Sequence, residues 1–140
     1  MVIPSTPYDA KGLLKTAIRD DNPVMFLEQK TLYRAKGMVP EEDYSIPLGQ
    51  ADIKLAGSDC TVVTYGRMVN TCLTAAQELE KDGVRLEVID IRSLVPLDTQ
   101  TILESVKKTK HVLIVHEAVQ FCGFGAEIAG QIADSDASII

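Results

Sequence analysis

The sequence predicts an α/β domain of three layers, with a mostly parallel sheet lying between helices. Three observations carry that expectation. Short β-branched runs recur at residues 60–65, 86–91 and 111–115. Segments with apolar residues at helical spacing separate them. Turn and cap residues mark the junctions: Gly57-Ser58-Asp59, Gly83, Pro96-Leu97-Asp98 and Gly123-Phe124-Gly125. Successive strand–helix units call for right-handed crossovers, which put helices on both faces of the sheet.

The elements follow in order. Thr6 is placed to cap a first helix, with Pro7 at its first position and Asp9 closing a capping box. Leu13, Leu14, Ala17 and Ile18 form its apolar stripe, and Asp20-Asp21-Asn22-Pro23 ends it. Residues 24–27 read as a short buried strand. Residues 29–50 carry Lys30, Arg34, Lys36, Gly37, Pro40, Glu41, Glu42, Asp43 and Pro47, with few candidates for a core. They read as a linker, with a domain boundary near Ser45. Residues 51–55 read as an edge strand. Gly66 opens a helix with Met68, Val69, Cys72, Leu73, Ala76 and Leu79 inward, and Gly83 suits its exit. Asp98 caps the next helix, whose stripe is Ile102, Leu103 and Val106. A last helix covers about 126–133.

Composition excludes several functions. The 140 residues fit one ordinary domain, and 46% are hydrophobic. The net charge is −6 and the cations are scattered, so neither phosphate backbones nor anionic membranes are expected partners. There are four Tyr, three Phe and no Trp, too few for a base-stacking platform. No apolar run approaches the roughly 20 residues of a membrane helix. Met1-Val2-Ile3-Pro4 lacks the features of a signal peptide. Cys60, Cys72 and Cys122 are widely spaced and make no CxxC pair, against a disulfide framework or zinc site. A reducing cytoplasm is the expected compartment.

Four local features can carry chemistry, and each has a plain structural reading. Gly123-Phe124-Gly125 lies between a strand and a helix, where a dinucleotide site would lie. Ile128 stands where a third Gly is needed and Glu127 has the wrong sign, so a tight turn is the better reading. Gly66-Arg67 offers a helix N-terminus and one cation, without the GK[ST] of a P-loop. His116-Glu117 sits at a strand's carboxyl end, where α/β sheets collect ligands, and can act in acid–base chemistry. With no visible partner, it reads better as a polar strand end bonded to nearby backbone or to another subunit. The Ala17-Ile18-Arg19-Asp20-Asp21-Asn22-Pro23 corner presents helix-end carbonyls and side-chain oxygens to a cation, yet these are also ordinary turn residues. Cys60 and Cys72 read as buried apolar groups, and Cys122 as the exposed thiol.

Three stretches together resemble a known family. They are residues 3–15 with 17–23, then Val88-Ile89-Asp90-Ile91-Arg92-Ser93-Leu94-Val95-Pro96-Leu97-Asp98, then His116-Glu117-Ala118 with residues 123–128. In order and spacing they are similar to the beta subunit of the thiamine-diphosphate-dependent 2-oxo acid dehydrogenase component, from about residue 2 to residue 133. Residues 32–35, Val39-Pro40, Tyr44, Ile46-Pro47-Leu48 and 116–118 lean to the branched-chain 2-oxo acid type; pyruvate and acetoin types are the alternatives.

The resemblance implies a two-part chain. Residues 1–45 would be the tail of a pyrimidine-binding domain with its linker, and 46–140 a transketolase-type C-terminal domain, truncated at its end. A family member is more than twice this length. Its aminopyrimidine-contacting glutamate and active-site histidine have no counterparts here, so no catalytic or cofactor-binding residue is assigned. Thiamine diphosphate and magnesium would bind elsewhere in the intact enzyme. The family's structural potassium site maps onto Ala17, Ile18, Asp20 and Asn22. The implied partners are an alpha subunit and a second beta subunit in an α2β2 heterotetramer. A further implied partner is the acyltransferase core, through its basic peripheral subunit-binding domain. After residue 133 the pattern fades, and the open sheet edge this leaves would favour association. Two other functions stand beside this one: a non-catalytic α/β interaction module, and a small nucleotide-binding domain built on the Gly125 turn.

Overall fold

The structure, a computed structural model, describes residues 1–135. Four strands, β1 (Asp52–Leu55), β2 (Cys60–Thr64), β3 (Leu86–Asp90) and β4 (Val112–Val115), form one sheet in the order β1-β3-β2-β4. β3, β2 and β4 are parallel, and β1 is added antiparallel at the edge. The β1 register shifts between Ile53 and Leu55, an irregularity beyond which Leu55 pairs with Val88. The fold is therefore the expected three-layer α/β/α arrangement with a mostly parallel sheet.

Period-2 alternation sorts the layers. Val62 and Val88 point to one face and pack with Cys72 and Ala76 of α2 (Met68–Glu80). Val63 and Ile89 point to the other. There they meet Ile102 and Val106 of α3 (Thr99–Thr109), and Ile128 and Ile132 of α4 (Phe124–Ser135). Gly83, at φ +83°, turns the chain out of α2, while the Asp98 carboxylate accepts from the Thr101 amide to start α3.

A third, smaller cluster of Val2, Leu13 and Ile46 sits apart from the sheet. It joins α1 (Pro7–Arg19) to the segment behind it. Gly12 permits that approach: a Cβ there would fall 2.6 Å from Cγ1 of Ile46. Segment 29–50 is thus less free than its composition suggests. It carries a 3-10 turn at Lys30–Arg34, and Tyr44 stacks on Tyr8 with centroids 4.6 Å apart.

Several expectations are corrected. Residues 24–27 form no strand of the sheet; Phe26 makes one isolated bridge with Val2. The stripe of α1 does not all face a core, because Leu13 is buried while Leu14 and Ile18 are 45% and 75% exposed. Thr6 does cap α1 through the Asp9 amide, but the Asp9 carboxylate turns inward to Lys54 and Arg92. α4 begins at Phe124, two residues earlier than its pattern suggests. The expectation for the end of the chain falls mostly on residues 136–140, outside the described residues.

Candidate functional site

The β2–α2–β3 crossover runs one way along the sheet and the β3–α3–β4 crossover runs back past β2, so the carboxyl ends of β2 and β4 bracket the sheet's switch point. Beyond β2 come Tyr65, Gly66 and Arg67; beyond β4 come His116 and Glu117. The structure brings the two sequence candidates, Gly66-Arg67 and His116-Glu117, to the same crevice. It then fills that crevice with a third residue from the linker. Gln29 donates from Nε2 to Glu117 Oε2 at 2.6 Å and accepts the Arg67 backbone amide on Oε1. Gly66, at φ +59°, is required here, since a Cβ would lie 2.4 Å from that amide oxygen.

Arg67 donates through Nε to Glu117 Oε1 at 3.0 Å, and through Nη2 to the same oxygen. The guanidinium beside it holds the Glu117 carboxyl below its ordinary range. Both side chains are well exposed, so the pair fixes geometry more than it stabilises the fold. Its consequence is chemical. Arg67, the cation at the α2 N-terminus, is already answered by a carboxylate, which opposes the binding of a phosphate, although Lys30 also lines the crevice.

His116 and Glu117 do not form an acid–base dyad. Glu117 is committed to Arg67 and Gln29, and no carboxylate bonds His116 among the described residues. The imidazole stacks on Tyr65, with centroids 6.0 Å apart and planes 9° apart, and Phe124 meets Tyr65 edge-on. Its Nδ1 is buried without a hydrogen-bond partner among the described residues. Gly125 is explained by this ring, since a Cβ there would lie 2.1 Å from Nε2; at Gly123 the tighter contact is backbone, 2.0 Å from the Val119 carbonyl oxygen. Gly125, in the first turn of α4, therefore accommodates the histidine.

The corner after α1 is placed differently. The Asn22 amide and Nδ2 both donate to Asp20 Oδ1, at 2.8 and 3.1 Å. Among the described residues, no backbone amide past Arg19 donates to the last carbonyls of α1. The last carbonyls of α1, those of Ala17 and Ile18 among them, thus accept no backbone amide from the turn that follows. Elsewhere, no group of three His, Cys, Asp or Glu among the described residues is placed to hold a metal. Cys60, Cys72 and Cys122 are free thiols; burial raises the first two, and Cys122 is exposed. No helix among the described residues is long and apolar enough to cross a membrane.

One constellation escaped the sequence reading. Asp9, Asp52, Lys54, Asp90 and Arg92 converge under α1, with Asp9 and Asp90 fully buried. The signal was an aspartate inside an apolar strand, because a strand covered on both faces leaves a charge no water.

Comparison with known proteins agrees with this architecture. Residues 49–138 match the family model described as "Transketolase, C-terminal domain". Among curated relatives, "Pyruvate dehydrogenase E1 component subunit beta" of Bacillus subtilis is 53% identical over 135 residues. That match takes in 96% of this chain and 42% of the relative. From the same organism, "2-oxoisovalerate dehydrogenase subunit beta" is 50% identical, over 96% of this chain and 41% of the relative. "Acetoin:2,6-dichlorophenolindophenol oxidoreductase subunit beta" is 51% identical, over 95% and 39%. The chain thus spans about two fifths of the length of these relatives. A solved structure, "Split gene transketolase, inactive beta4 tetramer", superposes with a TM-score of 0.82 at 26% identity. It covers 96% of this chain and 44% of that one. The chain belongs to the transketolase C-terminal domain family.

Proposed function

We propose that the chain contributes a C-terminal domain, and the segment before it, to the beta subunit of a 2-oxo acid dehydrogenase component. That component uses thiamine diphosphate to decarboxylate a 2-oxo acid and acylate a lipoyl group. The observation that carries the reading is an identity of 50% or more with three beta subunits along at least 95% of this chain. The division at residue 45 draws support from the family match, which begins at residue 49. The alpha subunit, a second beta subunit in an α2β2 assembly, and the acyltransferase core are the proposed partners, in the cytoplasm. The net charge of −6 suits a basic docking domain.

The described residues do not fit thiamine diphosphate or its magnesium. Gln29 reaches into the crevice that could receive a diphosphate, and Arg67 there is paired with Glu117, which leaves Lys30 as the other cation lining it. No step is therefore routed through them, and the role of this chain is architectural. Potassium does fit the corner after α1. Ala17, Ile18, Asp20 and Asn22 would hold it, the first two through their carbonyls, and Asn22 also fixes the Asp20 carboxylate. Hard oxygen donors at the negative end of a helix suit a monovalent cation, which would brace that corner.

The substrate proposed is a branched-chain 2-oxo acid, on the motif lean at residues 32–48 and 116–118. The identities of 53%, 50% and 51% add no preference among acyl groups. In the assembled enzyme, kcat/KM for 3-methyl-2-oxobutanoate is expected to exceed that for pyruvate; the reverse order overturns the finer assignment. The 140-residue chain alone, supplied with thiamine diphosphate, magnesium and an artificial acceptor, is expected to turn over no 2-oxo acid. Turnover would contradict the architectural role.

A further inference from the structure

Asp90 ends β3 directly opposite Asp52 of β1 in the antiparallel ladder, an unfavourable position for two like charges. Asp9 approaches from α1. Three carboxylates thus face two cations. Lys54 Nζ lies 2.8 Å from Asp9 Oδ2, 2.7 Å from Asp52 Oδ2 and 3.8 Å from Asp90 Oδ2. Arg92 Nη1 lies 3.2 Å from Asp9 Oδ1 and 3.9 Å from Asp52 Oδ2. Arg92 holds a left-handed backbone, φ +50°, and its amide donates to Asp90 Oδ1 at 3.1 Å. Both cations favour Asp9 over Asp90.

Ser5 sits between the two buried carboxylates. Its Oγ is in hydrogen-bond contact with Asp90 Oδ2 and lies 3.4 Å from Asp9 Oδ2. A hydroxyl has one proton to give, and an ionised carboxylate has none. With both aspartates ionised, Ser5 can donate to only one of them, while Asp9 Oδ2 already accepts from Thr6 Oγ1, at 2.5 Å, and from Lys54. A proton on Asp90 Oδ2 lets Ser5 join the two: Asp90 donates to Ser5, and Ser5 donates to Asp9. The excess negative charge disappears with the same proton.

We propose that Asp90 is a proton-operated latch, which clasps residues 1–9 to the sheet when protonated and loosens them when ionised. The clasp has a backbone counterpart beside it. The Ile3 amide donates to the Arg92 carbonyl at 2.8 Å, and the Leu94 amide to the Met1 carbonyl at 2.9 Å. Burial, the largest influence, pushes the Asp90 carboxyl up from 3.8 to about 6, against the opposing pull of Ser5, Lys54 and the Arg92 amide. The sign follows from linkage. A carboxyl raised in the folded state binds its proton more tightly there than in the open chain. The clasped state therefore gains as pH falls from 7.5 through 6, down to about the open-state value. The gain makes opening about fourfold rarer at pH 5.5 than at pH 7.5.

The test is carboxyl carbon-13 NMR of Asp90, combined with hydrogen exchange at the Ile3 amide, both on the full chain. The latch is supported if Asp90 titrates near pH 6 and Ile3 opening, corrected for intrinsic exchange, falls about fourfold between pH 7.5 and 5.5. Asp90→Asn, which keeps the shape and removes the titration, is expected to flatten that dependence. Titration of Asp90 below pH 5, or wild-type Ile3 opening that stays constant across the range, overturns it. Should Asp90→Asn fail to fold, the wild-type pair of measurements still decides.

Discussion

Gly125 lies so close beneath the imidazole of His116 that a Cβ there would sit 2.1 Å from Nε2. The strand end and the last helix are therefore fitted to one another through a missing side chain. Because His116 is itself stacked against Tyr65, it has little room to withdraw. Gly125→Ala is expected to cost roughly 1–3 kcal/mol, the usual penalty of overpacking. Urea unfolding measures it, and an unchanged midpoint would contradict the fit.

Gln29 ties the linker to the switch point through hydrogen bonds to both Arg67 and Glu117. Gln29→Ala removes both. Each such bond is worth about 0.5–1.5 kcal/mol, so segment 29–36 should open more often while the sheet stays folded. Trypsin is then expected to cut at Arg34 and Lys36 faster than in wild type. An equal cleavage rate would mean that the plug holds nothing.

Glu87 is buried in β3, where it accepts from Ser105, Lys108 and, at 3.3 Å, the Gly57 amide. Burial alone would raise its carboxyl, but Lys108 and Ser105 bring it below 4.5 overall. A carboxyl depressed in the folded state stabilises above its unfolded value, and that stability is lost as pH falls through the folded one. Lys108→Met removes the strongest lowering contact. The midpoint of acid unfolding, followed by circular dichroism from pH 6 to pH 2, should therefore move to higher pH. No movement would place the stabilisation elsewhere.

A cation at the α1 corner would add its binding free energy to the fold. The melting temperature is expected to be higher in potassium chloride than in tetramethylammonium chloride at equal ionic strength. Asp20→Ala should abolish the difference. Equal melting of the wild type in both salts would remove the site.

What the sequence revealed depended on whether local chemistry decided the outcome. Strands β2, β3 and β4 and the caps at Thr6, Asp98 and Gly83 were legible, because alternation and capping act over a few residues. The outward turn of Leu14 and Ile18 was not legible, since periodicity marks an apolar face without saying what covers it. Residues 24–27 looked like a strand but found no neighbour in the sheet beyond the Val2–Phe26 bridge. The meeting of Arg67 with Glu117 depends on strand order, which no local pattern encodes. Asp9 satisfied a capping rule on paper, yet two cations far along the chain claim its carboxylate. The glycines at 123 and 125 marked a junction in the sequence, but the Val119 carbonyl that crowds one and the histidine that crowds the other became visible only in three dimensions.

The central claim is that this chain is an architectural part of a 2-oxo acid dehydrogenase beta subunit. The direct measurement is a chimera, in which residues 1–135 replace the matching region of the Bacillus subtilis pyruvate dehydrogenase beta subunit. It is expressed with that enzyme's alpha subunit and assayed for thiamine-diphosphate-dependent decarboxylation of 2-oxo acids. Co-purification with the alpha subunit and decarboxylation that requires both chains are expected. A chimera that folds, as judged by circular dichroism, yet neither binds the alpha subunit nor turns over any 2-oxo acid would contradict it.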